Sequence, residues 1–406
     1  MSIIKPFAAL RPQKALASRV ASRPYDVLSS EEAREAVRDN PYSFLHITKA
    51  EVDLPPDVDL HSPAVYEKAK ANLSAFQQQG ILFREATACY YIYQLVMDGR
   101  SQTGLVAASA VSDYENGRIK KHEFTRPEKE QDRIDHMKFI NAQTGKVFLA
   151  YANVTELDVL ISNWKSEHQP EYDFVATDGI RHTVWVINPA PVIEQITTLF
   201  REQVPATYIA DGHHRAASAA KVHQALPESS EAAYFLTVIF PAAELTILDY
   251  NRLVTDLNGH TTGEFIAALH EDFEITASET AVKPAQLHEF GMYLEGKWYL
   301  LRSRPGSYTE DPIGILDVSI LAENILDKLL DIKDQRTDRR IDFVGGIRGI
   351  GELEKRVNSG EMKVAFSLYP VTIQQLFDIA DSGNVMPPKS TWFEPKLRDG
   401  LMTHLL

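Results

Sequence analysis

Apolar and polar positions along the chain fall into blocks of two periods. Runs rich in β-branched and aromatic residues read as buried strands: Tyr90 to Met97, Thr103 to Val111, His182 to Ile187, Val204 to Ala210, Tyr234 to Phe240, Leu245 to Asn251 and Lys363 to Tyr369. Between them, Val65 to Gln79, Val192 to Phe200, Arg215 to Leu226, Gly263 to Leu269 and Asp317 to Leu330 carry apolar residues at helical spacing. Asp98-Gly99 marks one hairpin and Glu295-Gly296-Lys297 another, while Asn40 to Ile47 reads as a loop entering a strand. Strand, helix, strand, helix across residues 182–226 is the α/β pattern, which puts the turn after Ala210 at a strand's carboxyl end, where ligands of such folds bind. The expected fold class is α/β (mixed α+β) in two lobes around a shared cleft. The polar loop Pro227-Glu228-Ser229-Ser230 divides them into residues 1–230 and 231–406.

That turn, Asp211-Gly212-His213-His214-Arg215, concentrates the chemistry. Asp211 is a natural N-cap, and Gly212 lets a backbone approach a ligand closely, so the first helical turn is suited to an anion. Two histidines and an arginine at a helix N-terminus oppose the macrodipole, a conflict a bound phosphate removes. A plainer reading stays open: neutral imidazoles packing or capping locally, with Arg215 reaching a surface carboxylate.

Three other stretches supply candidates. Thr125 and Glu128 have capping-box spacing and Pro127 suits a first turn, so a helix starts here and leaves His122 and Glu123 on a loop that can present them to a cleft. On that helix Asp132 is a candidate Mg²⁺ ligand, together with Asp211, and Arg133 a candidate phosphate partner. Arg23-Pro24-Tyr25-Asp26 is an extended loop whose Arg23 and Asp26 are pocket candidates. Near the end, a loop stiffened by Pro387, Pro388 and Pro395 offers Lys389, Ser390 and Thr391 to a ligand. Residues 340–346 run into glycines but match neither a Walker loop nor a dinucleotide fingerprint.

Composition narrows the partners. A formal net charge of -14 disfavours general nucleic-acid binding, so an anion site must be local. The single cysteine, Cys89, lies in an apolar run and reads as a buried thiol of a reduced protein. With no apolar run of ~20 residues and no signal-peptide plan, a cytoplasmic protein is expected.

The central box resembles the signature of the prokaryotic family known as domain of unknown function 1015. The same likeness extends to Arg23-Pro24-Tyr25-Asp26, His122-Glu123-Phe124-Thr125, Asp132-Arg133, Asn251-Arg252, Phe343-Val344-Gly345-Gly346 and residues 386–396. More distantly, the strand-turn-helix is similar to that of ParB and sulfiredoxin-like proteins, which include nucleotide-dependent free-serine kinases. These resemblances imply a nucleotide-dependent phosphotransferase acting on a small hydroxylated metabolite, with serine or phosphoserine as first candidate. ATP or ADP and Mg²⁺ are the implied cofactors, and a homodimer is possible. In that reading Gly212, His213, His214, Arg215, Arg23, Lys389, Ser390 and Thr391 bind phosphate. His122, Glu123, Asp26, Asp211 and the two turn histidines serve the chemistry. A phosphatase using the same turn, and a nucleotide-controlled binding protein without turnover, are the alternatives.

Overall fold

The computed structural model describes residues 1–406, which form a mixed α/β fold with several sheets. The chain divides into two compact units, Met1–Leu245 with Pro395–Leu406, and Thr246–Glu394. The division therefore falls after Leu245 and not at residue 230, because Tyr234–Pro241 is an interior strand of the first unit's sheet. The last twelve residues, expected in the second lobe, also belong to the first unit.

The larger unit is built on a nine-stranded sheet. Its spine is the hairpin Tyr90–Met97 and Arg100–Ala110, turned by Asp98 and Gly99, both at positive φ as a tight two-residue turn requires. Tyr234–Pro241 joins that hairpin antiparallel and Val147–Tyr151 parallel. Thr207–Asp211 follows at the sheet's far side, antiparallel to Val147–Tyr151 and parallel to Ile119–Lys120. Side chains such as Tyr90, Ile92, Leu105, Leu149 and Ile239 fill the core on which the helices pack. The sheet is thus mixed, and connectivity alone did not reveal that the strand before the site runs against its neighbour.

The C-terminal residues close this unit. Asp399 and Ser22 exchange backbone hydrogen bonds, Leu10 and Thr403 do the same, and His404–Leu405 pairs with Ala142–Gln143. Leu401 and Met402 are fully buried. The segment is a structural strap, and it carries Lys396 and Arg398 into the unit.

The smaller unit is a six-stranded antiparallel sheet in the order Phe273–Ser278, Lys297–Ser303, Glu289–Leu294, Val364–Leu368, Tyr250–Val254, Ile341–Gly345. Two local expectations change. The helix expected over 317–330 is α-helical only from Asp317 to Leu321 and widens to a π-helix over Ala322–Asp327. In the larger unit, Leu45–Thr48 is a helical turn and not a strand, its buried Ile47 serving a core shared with Phe44, Ala69 and Leu73.

Candidate functional site

The strand Thr207–Asp211 ends in an irregularity: Ile209 faces Leu149 and Asp211 faces Phe148, so Ala210 is an extra residue. Such a bulge re-aims the side chains beyond it. Gly212 follows at φ 98, where an added Cβ would lie 3.3 Å from the Arg215 guanidinium and 3.4 Å from the Val147 Cα. The left-handed backbone favours glycine, and a Cβ there would make the Arg215 side chain give by a few tenths of an ångström. The helix spans His213–Ala225, two residues earlier than the pattern predicts, and its first internal bond runs from Ala216 N–H to the Gly212 carbonyl, 3.0 Å. Asp211 does not cap it; Gly212 is the N-cap and makes no side-chain cap bond. The Asp211 carboxylate instead accepts from Lys396 Nζ at 3.2 Å. Enclosure would raise its pKa, but Lys396, Arg215 and His213 outweigh that and hold it well below the usual carboxylate range.

The two histidines are acceptors, which corrects the view of them as cations set against the dipole. His213 Nε2 accepts the His122 backbone N–H at 3.4 Å, and His214 Nε2 accepts that of Arg126 at 3.0 Å. Both rings titrate below the ordinary histidine value, His213 through burial and the neighbouring His122, His214 through burial and Lys129. A neutral ring accepting at Nε2 carries its proton on Nδ1. For His213 that proton faces Glu123 Oε2, 3.9 Å away. His213 is buried while the Glu123 side chain is half exposed. The His122 ring packs edge-on to His213, 4.6 Å between centroids, and burial lowers its pKa to about 4. Residues 122–126 are thus pinned at two points to the first turn of the site helix, with Phe124 between the pins, 74% exposed.

Arg215 meets a carboxylate, as the plainer reading had it: Nη2 donates to Asp26 at 2.9 Å and Nη1 to the Lys146 carbonyl. Beneath lie Tyr25, stacked under the Arg133 guanidinium at 4.0 Å, and buried Asp399, whose Oδ2 has no hydrogen-bond partner. Burial raises Asp399 to about 6 and lowers the buried Lys146 ammonium, which donates to the Arg398 carbonyl, to about 8. A cavity of ≈ 20 Å³, about one water in size, lies between Tyr25, Arg133, Gly145 and Arg215.

Residues 211–215 therefore gather His122 and Glu123 at His213, Asp26 at Arg215, and Lys396 at Asp211. Nothing local in the sequence places Lys396 here, and Phe124 is an exposed aromatic inside a charged loop. Other candidates have contacts of their own. Arg23 pairs with Asp178 at 3.8 Å, beside Arg398. Asp132 accepts from Arg133, Tyr66 and His61, and no group of three or more histidine, cysteine or acidic side chains is arranged to hold a metal ion. Of the two candidate metal carboxylates, Asp211 pairs with Lys396 and Asp132 with Arg133. Glu128 and Thr125 form no capping box either; the helix begins at Pro127 behind Arg126. Lys389, Ser390 and Thr391 lie in the smaller unit, where Ser390 is buried and donates to the Pro387 carbonyl at 2.7 Å.

Among solved structures the chain is similar to a conserved hypothetical protein from Pyrococcus furiosus, at 15% identity over 74% of this chain and 94% of that one, with a TM-score of 0.36. It is similar also to a free serine kinase in complex with AMP, at 13% identity over 74% and 91% of the two chains, TM-score 0.37. A third likeness is to SbnI with C-terminal truncation from Staphylococcus aureus, at 11% identity over 74% and 87%, TM-score 0.33. No curated protein sequence matches. The sequence model of the family described as a protein of unknown function, DUF1015, matches residues 4–319, and the chain belongs to that family.

Proposed function

We propose that the larger unit carries a nucleotide-dependent phosphotransferase site acting on a small hydroxylated metabolite, with serine or phosphoserine as the first substrate to try. The observation that carries this reading is the junction of a bulged strand, Gly212 and a helix N-terminus with two compensated cations, Arg215 and Lys396, and a half-exposed carboxylate, Glu123, at one turn. First-turn N–H groups precede the first helical bond and suit phosphate oxygens. The nucleotide, as co-substrate, supplies the phosphoryl group.

Each residue then has a task. Glu123 takes the proton of the substrate hydroxyl while the oxygen forms the new O–P bond and the bridging electron pair departs with the nucleotide product. His213 cannot share that task, because its Nε2 is occupied and its Nδ1 already bears a proton; it orients Glu123. Arg215 and Lys396 neutralise phosphate charge by exchanging part of their hold on Asp26 and Asp211. Phe124 offers a face for the nucleobase. Asp211 and Asp132 are each held in an ion pair, with Lys396 and Arg133, and neither is given a Mg²⁺ role here.

A binding protein without turnover is the second reading, favoured by one feature: Arg215 and Lys396 already form ion pairs with Asp26 and Asp211. Incubation of the purified protein with serine or phosphoserine, ATP or ADP, and Mg²⁺, followed by mass spectrometry, separates the two. New phosphoserine, or free serine matched by ATP formed from ADP, supports the transferase, whereas free serine with inorganic phosphate marks a phosphatase. A nucleotide-dependent rise in melting temperature with no product supports the binding protein.

A further inference from the structure

Within the smaller unit, Arg252 is fully buried, the largest side chain there to be so. Its Nη1 donates to the Tyr250 carbonyl and its Nη2 to the Pro388 carbonyl at 3.2 Å, while Nε has no partner. It forms no ion pair with a carboxylate, and the Phe343 ring lies 5.2 Å from the guanidinium carbon. Burial without a counter-ion lowers its pKa to about 10. A buried charge with no opposite charge is costly, and proteins retain one where something else supplies the partner.

Three further features meet on the same face. Lys389 places its ammonium 5.8 Å from the Tyr250 ring centroid and holds a left-handed backbone, φ 59, which a lysine adopts only at a cost. Trp392 stands edge-on to Tyr250 at 5.0 Å and presses on Gly345, where an added Cβ would come within 2.8 Å of the indole. Gly345 faces Tyr250 across the strands, as Phe343 faces Arg252. The nearby carboxylates are engaged otherwise: Asp249 with Asn251 at 2.6 Å and Glu394 with the Trp392 indole at 3.0 Å. Three stretches far apart in sequence, Tyr250–Arg252, Phe343–Gly345 and Pro388–Trp392, thus build one cationic face on an aromatic floor.

We propose that this face is an anion site of the smaller unit's own, in which Arg252 and Lys389 together take a phosphate group, free or as a phosphomonoester. Two cations suit the double negative charge of a phosphate better than a single carboxylate. The Pro388 carbonyl now occupies an Arg252 donor, so the 386–391 segment is the door: an incoming phosphate oxygen replaces that carbonyl, and Lys389 leaves its left-handed conformation as the segment lifts.

The test is hydrogen exchange followed by mass spectrometry on the full chain, with inorganic phosphate titrated and acetate as the control anion at equal ionic strength. Phosphate should change exchange across 386–391 saturably, and R252M and K389A should each weaken the response at least tenfold. R215Q, which disables only the turn of the larger unit, should leave it intact, so this site and the proposed transferase site fail separately. K389A alters an exposed side chain and keeps the experiment decisive should R252M not fold. An unchanged exchange profile at 386–391 in saturating phosphate, an equal response to acetate, or a K389A response equal to wild type overturns the proposal.

Discussion

Arg215 and Arg252 are both arginines withdrawn from water, and they differ in what compensates them. Arg215 has a carboxylate at 2.9 Å and a second pair, Asp211 with Lys396, beside it. Arg252 has two carbonyls, a phenyl ring and no carboxylate. The first cation has become part of the scaffold that positions a loop and a turn, while the second carries an electrostatic debt within its own unit. A positive side chain in a family motif therefore does not by itself mark a ligand site; its existing partners decide how much of its charge a ligand can use.

That comparison can be broken at several points. H213A should have the largest effect, a loss of about 2–3 kcal/mol in denaturant titrations, because it leaves the buried His122 N–H without its acceptor and opens a cavity beside it. Protease susceptibility of residues 122–126 should rise with it. R215M should destabilise by about 1.5–3 kcal/mol, since it strands the Lys146 carbonyl and removes a charge-assisted bond. The pattern of charges read along the sequence predicts relief of repulsion on losing Arg215; the ion pair with Asp26 reverses that sign. R252M should cost less than R215M, because a lost uncompensated charge offsets the two freed carbonyls, and equal or larger destabilisation would dissolve the distinction. G212A should cost about 1–2 kcal/mol through its positive φ. F124A should leave stability within about 0.5 kcal/mol while weakening a nucleotide by about 0.5–1.5 kcal/mol and leaving inorganic phosphate unaffected.

pH separates the buried bases from the buried acids. His122 titrates near 4 when folded against 6.5 for a free ring, as does His136, so the unfolded chain binds more protons between those values. Their contribution is complete above pH 6.5 and declines as pH falls toward 4. Asp399, raised to about 6, acts oppositely: its contribution is present below 3.8 and lost as pH rises through 6. Wild-type stability measured from pH 7 to 4 should therefore fall, and should fall further in D399N, which lacks the opposing term.

Much of the scaffold was legible in the sequence because it is local. Tyr90 to Met97 and the Asp98-Gly99 turn specify their hairpin through alternation and turn chemistry, and Gly212 announces a close approach. Site residues were legible as types but not as roles, because the roles depend on distant partners. Asp26 lies 189 positions from Arg215 and Lys396 lies 185 from Asp211, so neither the neutralisation of the turn nor the return of the terminal strap has a local signature. The histidines show the same limit: a His-His pair at a helix start reads as charge until the backbone N–H groups of residues 122 and 126 are seen to donate to it.

The central claim is that Glu123, presented to His213 at this turn, is the base of a phosphoryl transfer. Its most direct test is E123Q assayed for turnover of serine with ATP or ADP, alongside calorimetric binding of the same nucleotide. Turnover should fall about 10²–10⁴-fold while nucleotide affinity stays within about twofold of wild type, since the carboxamide keeps the size of the side chain and removes only its basicity. Turnover equal to wild type, or an affinity loss that accounts for the whole effect, would contradict it.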